Sequence, residues 1–238
     1  MTSPTAAQVV RRSALEAIHL ALGARWVDEH VRWPSGYGAV DPSAEAEAEA
    51  LTAAAGLAEI GPLDEWLLRG PGALAAVARM TSGGPPPTVG RVLAANGAGQ
   101  PVAVWLIGPD EILLVAPVGG SALAALASEL ASEDLSVIEM TGARTTLRMA
   151  GSAAPAILAE LCPADTTPAR MAPADLLQAP LAGVRAFIAR QDAGDQPGYT
   201  MMIARDEAAY VWDAIRHVGA AHGLTPVGPA AVAPGGTP

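Results

Sequence analysis

The stretch Pro101–Ala116, PVAVWLIGPDEILLVA, sets two apolar runs on either side of Gly108-Pro109-Asp110. Glycine, proline and aspartate in succession are turn residues, so Pro101 to Ile107 and Glu111 to Ala116 read as the two strands of a hairpin. Strands joined by so short a turn pair antiparallel, because a parallel pair needs a crossover of about a dozen residues. Working outward, Asp64 to Arg69 reads as a strand, Gly70-Pro71-Gly72 as a turn and Ala73 to Met80 as a helix, with a further helix at Ser121 to Ser132. A second run repeats that order: strand at Thr145 to Met149, turn at Gly151-Ser152, helix at Ala153 to Leu161, strands at Gly183 to Ala189 and Tyr199 to Ala204, and helix at Asp206 to His222. The expected fold class is therefore α+β, two similar α/β halves with mainly antiparallel sheets.

Upstream, Ser13 and Glu16 have the spacing of a capping box, with Leu15, Ile18, His19 and Leu22 at helical intervals before Gly23. Ala44 to Ala55 (AEAEAEALTAAA) is built of helix formers, its three glutamates marking an acidic helix surface. The expected organisation is a tail at 1–12, one unit at 13–228 with halves of about 13–135 and 136–228, and a Pro/Gly-rich tail at 229–238.

The 238 residues are 51% apolar and 16% charged, with mean hydropathy +0.30, a composition that folds. Fourteen cations against 24 acids give a net charge of -10 and a pI near 4.8, which disfavours binding to a phosphate backbone. All fourteen cations are arginine, so lysine Schiff-base chemistry and a P-loop both lack their essential residue. A single cysteine, Cys162, makes no internal disulfide and reads as a small buried hydrophobe at a helix end. The apolar, uncharged run Ile112 to Ser128 is broken by Pro117, Gly119 and Gly120, so neither a membrane span nor a secretory leader is expected and the chain reads as cytoplasmic. His19, His30, His217 and His222 show no metal-ligand spacing and read as solvated or helix-end residues. No GxSxG elbow, GxGxxG turn or HExxH helix occurs. Trp26, Trp33 and Tyr37 cluster in a loop-like stretch suited to stacking on a flat ligand.

Ser13 to Gly38, SALEAIHLALGARWVDEHVRWPSGYG, resembles the opening of the T-protein of the glycine cleavage system, the tetrahydrofolate-dependent aminomethyltransferase. Gly56-Leu57-Ala58-Glu59-Ile60 is similar to that family's Gly-Leu-Phe-Asp-Val, and Gly70-Pro71-Gly72-Ala73-Leu74 to its Gly-Pro-Asp-Ala-Leu. Gly223 to Gly228 resembles its Gly-Leu-Lys-Pro-Ile-Gly. Leu161 to Asp165, Gln178 to Val184 and Tyr210-Val211-Trp212-Asp213 are closer still to the gamma subunit of heterotetrameric sarcosine oxidase, of the same folate-binding superfamily. The resemblance implies paired halves around a central folate-type cavity.

Two departures bear on chemistry. Where the aminomethyltransferases carry Asp-Asp at a strand start, one carboxylate beside the folate nitrogen that receives the one-carbon unit, the aligned residues are Gln100 and Pro101, and neither takes up a proton. In the family's Arg-x-Gly-Tyr-Thr-Gly-Glu-x-Gly-Tyr-Glu the first glutamate pairs with the pterin. Here the stretch runs Arg190 to Thr200, with Gln196 at that glutamate and Asp195 beside it. The chain also ends soon after Gly228, where aminomethyltransferases continue into a C-terminal barrel domain, which it is therefore expected to lack.

The resemblance implies tetrahydrofolate as cofactor, held by Gln196, Asp195, Arg190, Tyr199, Trp105, Leu63 and Tyr37, with no metal. No catalytic residue is assigned; Glu59, Asp64 and Asp110 remain as candidate proton carriers. One reading is a one-carbon transferase exchanging a methyl, methylene or aminomethyl group with tetrahydrofolate. The alternatives are a non-catalytic gamma-type subunit beside a flavoprotein, or a scaffold without folate chemistry. Expected partners are folate or a small one-carbon donor, and a flavoprotein subunit or a second copy, but no nucleic acid and no membrane.

Overall fold

The computed structural model describes residues 11–27, 31–38, 51–81, 87–97, 99–118, 123–124, 126, 130 and 134–234. The N-terminal part comprises β1 (Arg11–Arg12), α1 (Glu16–Ala21), β2 (Ala24–Trp26), β3 (Val31–Arg32) and β4 (Pro34–Tyr37). Then come β5 (Gly56–Ile60), β6 (Leu63–Arg69), α2 (Ala73–Met80), β7 (Val92–Gly97), β8 (Gln100–Leu106), β9 (Glu111–Pro117) and β10 (Ser136–Glu139). The rest is β11 (Arg144–Ala150), α3 (Ala154–Leu161), β12 (Leu176–Leu181), β13 (Val184–Arg190), β14 (Gly198–Ala204), α4 (Ala208–Gly219) and β15 (Thr225–Pro226).

Two sheets dominate. One has the order β10-β6-β9-β8-β7 and the other β12-β13-β14-β11-β5-β15. Within them every pairing is antiparallel except β15 on β5, so the antiparallel expectation holds. Val102 to Leu106 of β8 and Ile112 to Ala116 of β9 are apolar, as strand segments covered on both faces are. Val102, Val104, Leu106, Ile112 and Leu114 face α2, while Trp105, Leu113 and Val115 meet Leu176, Ala189 and Met202 of the other sheet. On that sheet's outer face, Leu147, Met149, Tyr199, Met201 and Ile203 pack under α3 and α4. The result is four layers, helix on sheet on sheet on helix.

The sheets do not divide at residue 135. β5 lies beside β11 and β10 lies beside β6, so each sheet takes one strand from the far side of that position. Only Gly61 and Pro62 separate β5 from β6, and the chain passes there from one sheet to the other. In these two sheets β5, β7, β10, β12 and β15 are additional to the strands read from the sequence, as are the short β1 to β4. β7 and β12 have buried ends around half-exposed middles, and β10 is an exposed edge, so none carries a strong apolar run.

Ser13 does not cap α1, whose N-cap is Leu15 with no side-chain cap; Glu16 pairs instead with Arg12 at 3.0 Å. Residues 229–234 do not trail away: Pro229–Val232 forms a 3₁₀ turn, and Val232 is wholly buried against Leu51, Ala58 and Ala150. The acidic helix expected at 44–55 lies mostly outside the described residues, with 51–53 helical; so does most of the helix at 121–132, from which Leu123, Leu126 and Leu130 reach the core. Among the described residues no helix is long and apolar enough to cross a membrane.

Gly151 ends β11 at φ +133°, where an added Cβ would stand 2.5 Å from the Ala54 carbonyl oxygen and 2.7 Å from Ala55 Cα. Gly142 has φ +84° but open space around it. Gly142→Ala should cost only the left-handed backbone term of about 1–2 kcal/mol. Gly151→Ala adds a clash with backbone and should cost clearly more, read as a lower urea midpoint.

Candidate functional site

Strand alternation decides which side chains enter the space between the sheets. From β11 come Thr146 and Arg148, from β14 Thr200 and Met202, from β6 Leu63, and from β8 Ala103 and Trp105. They line a cavity of about 280 Å³, mostly apolar, closed on one side by Pro229, Ala233 and Pro234. No aspartate or glutamate lines it among the described residues.

Its polar end is one connected network. The Arg148 guanidinium, 2% exposed, donates from Nη1 to Thr200 Oγ1 at 2.7 Å, from Nη2 to the Gln191 carbonyl at 2.6 Å, and from Nε to the Val232 carbonyl. The Thr200 hydroxyl in turn donates to Gln191 Oε1 at 2.7 Å. Burial lowers the Arg148 pKa to about 10, partly offset by the charge of Asp192, so the group stays cationic at neutral pH.

Of the residues expected to hold a ligand, Trp105 and Leu63 line this cavity. Arg190 and Tyr199 sit on the opposite face of their sheet. Arg190 is gripped by Asp192 through two bonds of 2.9 and 2.8 Å and donates to the Pro168 and Met171 carbonyls. Tyr199 is fully buried, donates to the Thr166 carbonyl at 2.8 Å, and has its pKa raised to about 12, chiefly by burial. Asp195 is exposed in the turn joining β13 to β14, and Gln196, half-buried beside it, closes that turn on Ala193 by backbone bonds of 2.9 and 3.1 Å. Neither lines the cavity; the amide that does is Gln191.

Among the candidate proton carriers, Asp110 is exposed in the β8–β9 turn. Asp64 alternates with Leu63 and Glu65 and lies on the face shared with Trp66 and Leu68. Glu59 is 1% exposed on the outer face of β5, where one oxygen accepts from the Ser13 hydroxyl and meets His19 Nε2 at 2.9 Å. His19 Nδ1 is 2.8 Å from the Tyr37 hydroxyl. His19 lies in the last turn of α1 and is not solvated: it is fully buried, with the ring centres of Trp212 and Trp26 5.1 and 6.4 Å from its own. Burial, and next the negative charge of Glu59, raise the Tyr37 pKa. This chain of four polar groups fastens the N-terminal segment to the sheet. Trp33 packs against Gly61 and, with Arg12, Glu59, Glu65, Arg144 and Arg205, borders a second cavity of about 350 Å³. There Arg144 pairs with buried Glu65 at 3.1 Å, and burial raises the Glu65 pKa while Arg144 pulls it back.

Arg148, Thr200 and Gln191 were not singled out from sequence. The available signal was a lone arginine inside the apolar strand of residues 145–149, since a charge there must be either paired or functional.

The GCVT N-terminal domain family matches residues 15–233. The chain belongs to that family. The aminomethyltransferase of Saccharopolyspora erythraea is 29% identical over 229 residues, covering 92% of this chain and 60% of the relative. Sarcosine oxidase subunit gamma of Corynebacterium sp. (strain P-1) is 38% identical over 99 residues, covering 42% of this chain and 47% of the relative. The chain thus spans about half to three-fifths of these relatives. Among solved structures, the glycine cleavage system aminomethyltransferase T of Bartonella henselae superimposes with TM-score 0.73 at 19% identity, over 93% of this chain and 60% of that one, which shows the shared GCVT fold. A chain of the heterotetrameric sarcosine oxidase of Corynebacterium sp. U-96 superimposes with TM-score 0.61 at 26% identity, over 77% of this chain and 94% of that one.

Replacing Glu59 by alanine leaves the Ser13 hydroxyl and His19 without their shared acceptor. Each orphaned buried group costs about 1–3 kcal/mol, so Glu59→Ala should lower the urea midpoint strongly. Glu59→Gln, which keeps one accepting oxygen, should lower it less.

Proposed function

We propose that this GCVT-family chain holds tetrahydrofolate, or a one-carbon adduct of it, between its two sheets while supplying no acid–base group of its own. In this reading it works as a gamma-type subunit beside a flavoprotein that performs the redox chemistry. The observation that carries the reading is the cavity itself. Trp105, Leu63 and Met202 offer a flat apolar wall, Gln191 and Thr200 offer hydrogen bonds at one end, and no carboxylate lines it among the described residues.

An aminomethyl transfer needs a group that takes up or gives a proton near the reacting nitrogen. Gln100 and Pro101 align with the family's paired aspartates, and Pro101 lines the cavity. Glu59 cannot stand in for them, because it is on the outer face of the sheet and committed to Ser13 and His19. What remains for this chain's residues is to bind, orient and exclude water. The similarity to sarcosine oxidase gamma subunits supports a partner-bound role.

Isothermal titration of the purified chain with tetrahydrofolate and with 5-formyltetrahydrofolate tests the binding. Micromolar affinity is expected. Trp105→Leu, confirmed as folded by its melting curve, should weaken it about tenfold through lost aromatic contact. Asp195→Ala, in an exposed turn, should change it little. Absence of binding by the folded chain contradicts the proposal.

A further inference from the structure

We propose that the Arg148 end of the cavity between the sheets is a seat for a carboxylate, so that the site accepts a small acid with a flat or apolar body. A guanidinium has five N–H donors. In Arg148, Nε donates to the Val232 carbonyl, one Nη1 hydrogen to Thr200 Oγ1 and one Nη2 hydrogen to the Gln191 carbonyl, which leaves one hydrogen on each terminal nitrogen. All three acceptors are neutral. The acid whose charge bears on Arg148 is Asp192, and its two oxygens are held by Arg190 at 2.9 and 2.8 Å.

Arg148 is therefore a buried cation, 2% exposed, with no carboxylate of its own among the described residues. Buried charges are ordinarily paired, because an isolated ion loses its hydration without compensation. The two remaining N–H groups suit the two oxygens of one carboxylate, the geometry in which arginine binds acids best. Around them, Trp105, Leu63, Val115 and Met202 supply a dry wall for the body of the acid, and among the described residues no acidic side chain lines the cavity to repel it. The seat is a property of Arg148 and does not rest on folate binding.

Sodium benzoate and neutral benzamide, equal in shape, are the probes. Each is titrated into the full chain at fixed ionic strength, with melting temperature and tryptophan fluorescence as readouts. Benzoate is expected to bind and raise the melting temperature, and benzamide to bind at least tenfold more weakly. Arg148→Met should remove the preference for benzoate. If that variant does not fold, Arg148→Lys keeps the charge without the paired donors and should weaken benzoate about tenfold. No response to benzoate, an equal response to benzamide, or undiminished benzoate binding in the folded variant used would overturn the proposal. Tetrahydrofolate is titrated in parallel: its failure to bind counts against the folate reading alone, and the benzoate result decides this one.

Discussion

The inner faces of the two sheets meet through Trp105, Leu113 and Val115 on one side and Leu176, Ala189 and Met202 on the other. Burying large apolar groups of this kind is the dominant favourable term in folding, and it needs both sheets present. That explains the strand exchange. β5 joins the sheet built mostly from strands after residue 135, and β10, just past that residue, completes the other, with the chain passing between the sheets at Gly61-Pro62. Where the inner faces part beyond Trp105 and Met202, the cavity remains, and its polar end is fixed by the bonds of Arg148 to Gln191, Thr200 and Val232.

Much of the fold was legible because local chemistry and long-range burial agree along β8 and β9. Pro101 to Leu106 and Ile112 to Ala116 are unbroken apolar runs, and Gly108-Pro109-Asp110 between them is turn sequence. The boundaries of α2 were readable for the same reason, flanked by Gly72 and followed by Thr81. What was not legible is what depends on partners distant in sequence. Nothing in Gly56–Ile60 says that it pairs with β11 and not with its neighbour β6, and β10 is an edge strand whose exposed side chains carry no core signal.

The same division runs through the site. Trp105 and Leu63 line the cavity because they lie on inward positions of their strands. Arg190 and Tyr199 come from motif matching alone, and alternation along β13 and β14 turns both to the helix-covered face. Gln196 has the family's motif position but ends in a turn, while Gln191, five residues earlier, reaches the cavity. His19 carried no signal of its own. Its burial follows from Glu59 and Tyr37, 40 and 18 residues away in sequence, which give it a partner on each ring nitrogen.

On the proposed reading, the space between the sheets is a binding site built without a catalytic carboxylate. That reading is tested most directly by a crystal structure of the chain grown with 5-formyltetrahydrofolate. The account predicts ring density against Trp105 and Met202, with polar contacts to Gln191, Thr200 or Arg148 and none to an aspartate or glutamate of this chain. Folate bound elsewhere, or a carboxylate of this chain within hydrogen-bonding distance of the pterin, would contradict it.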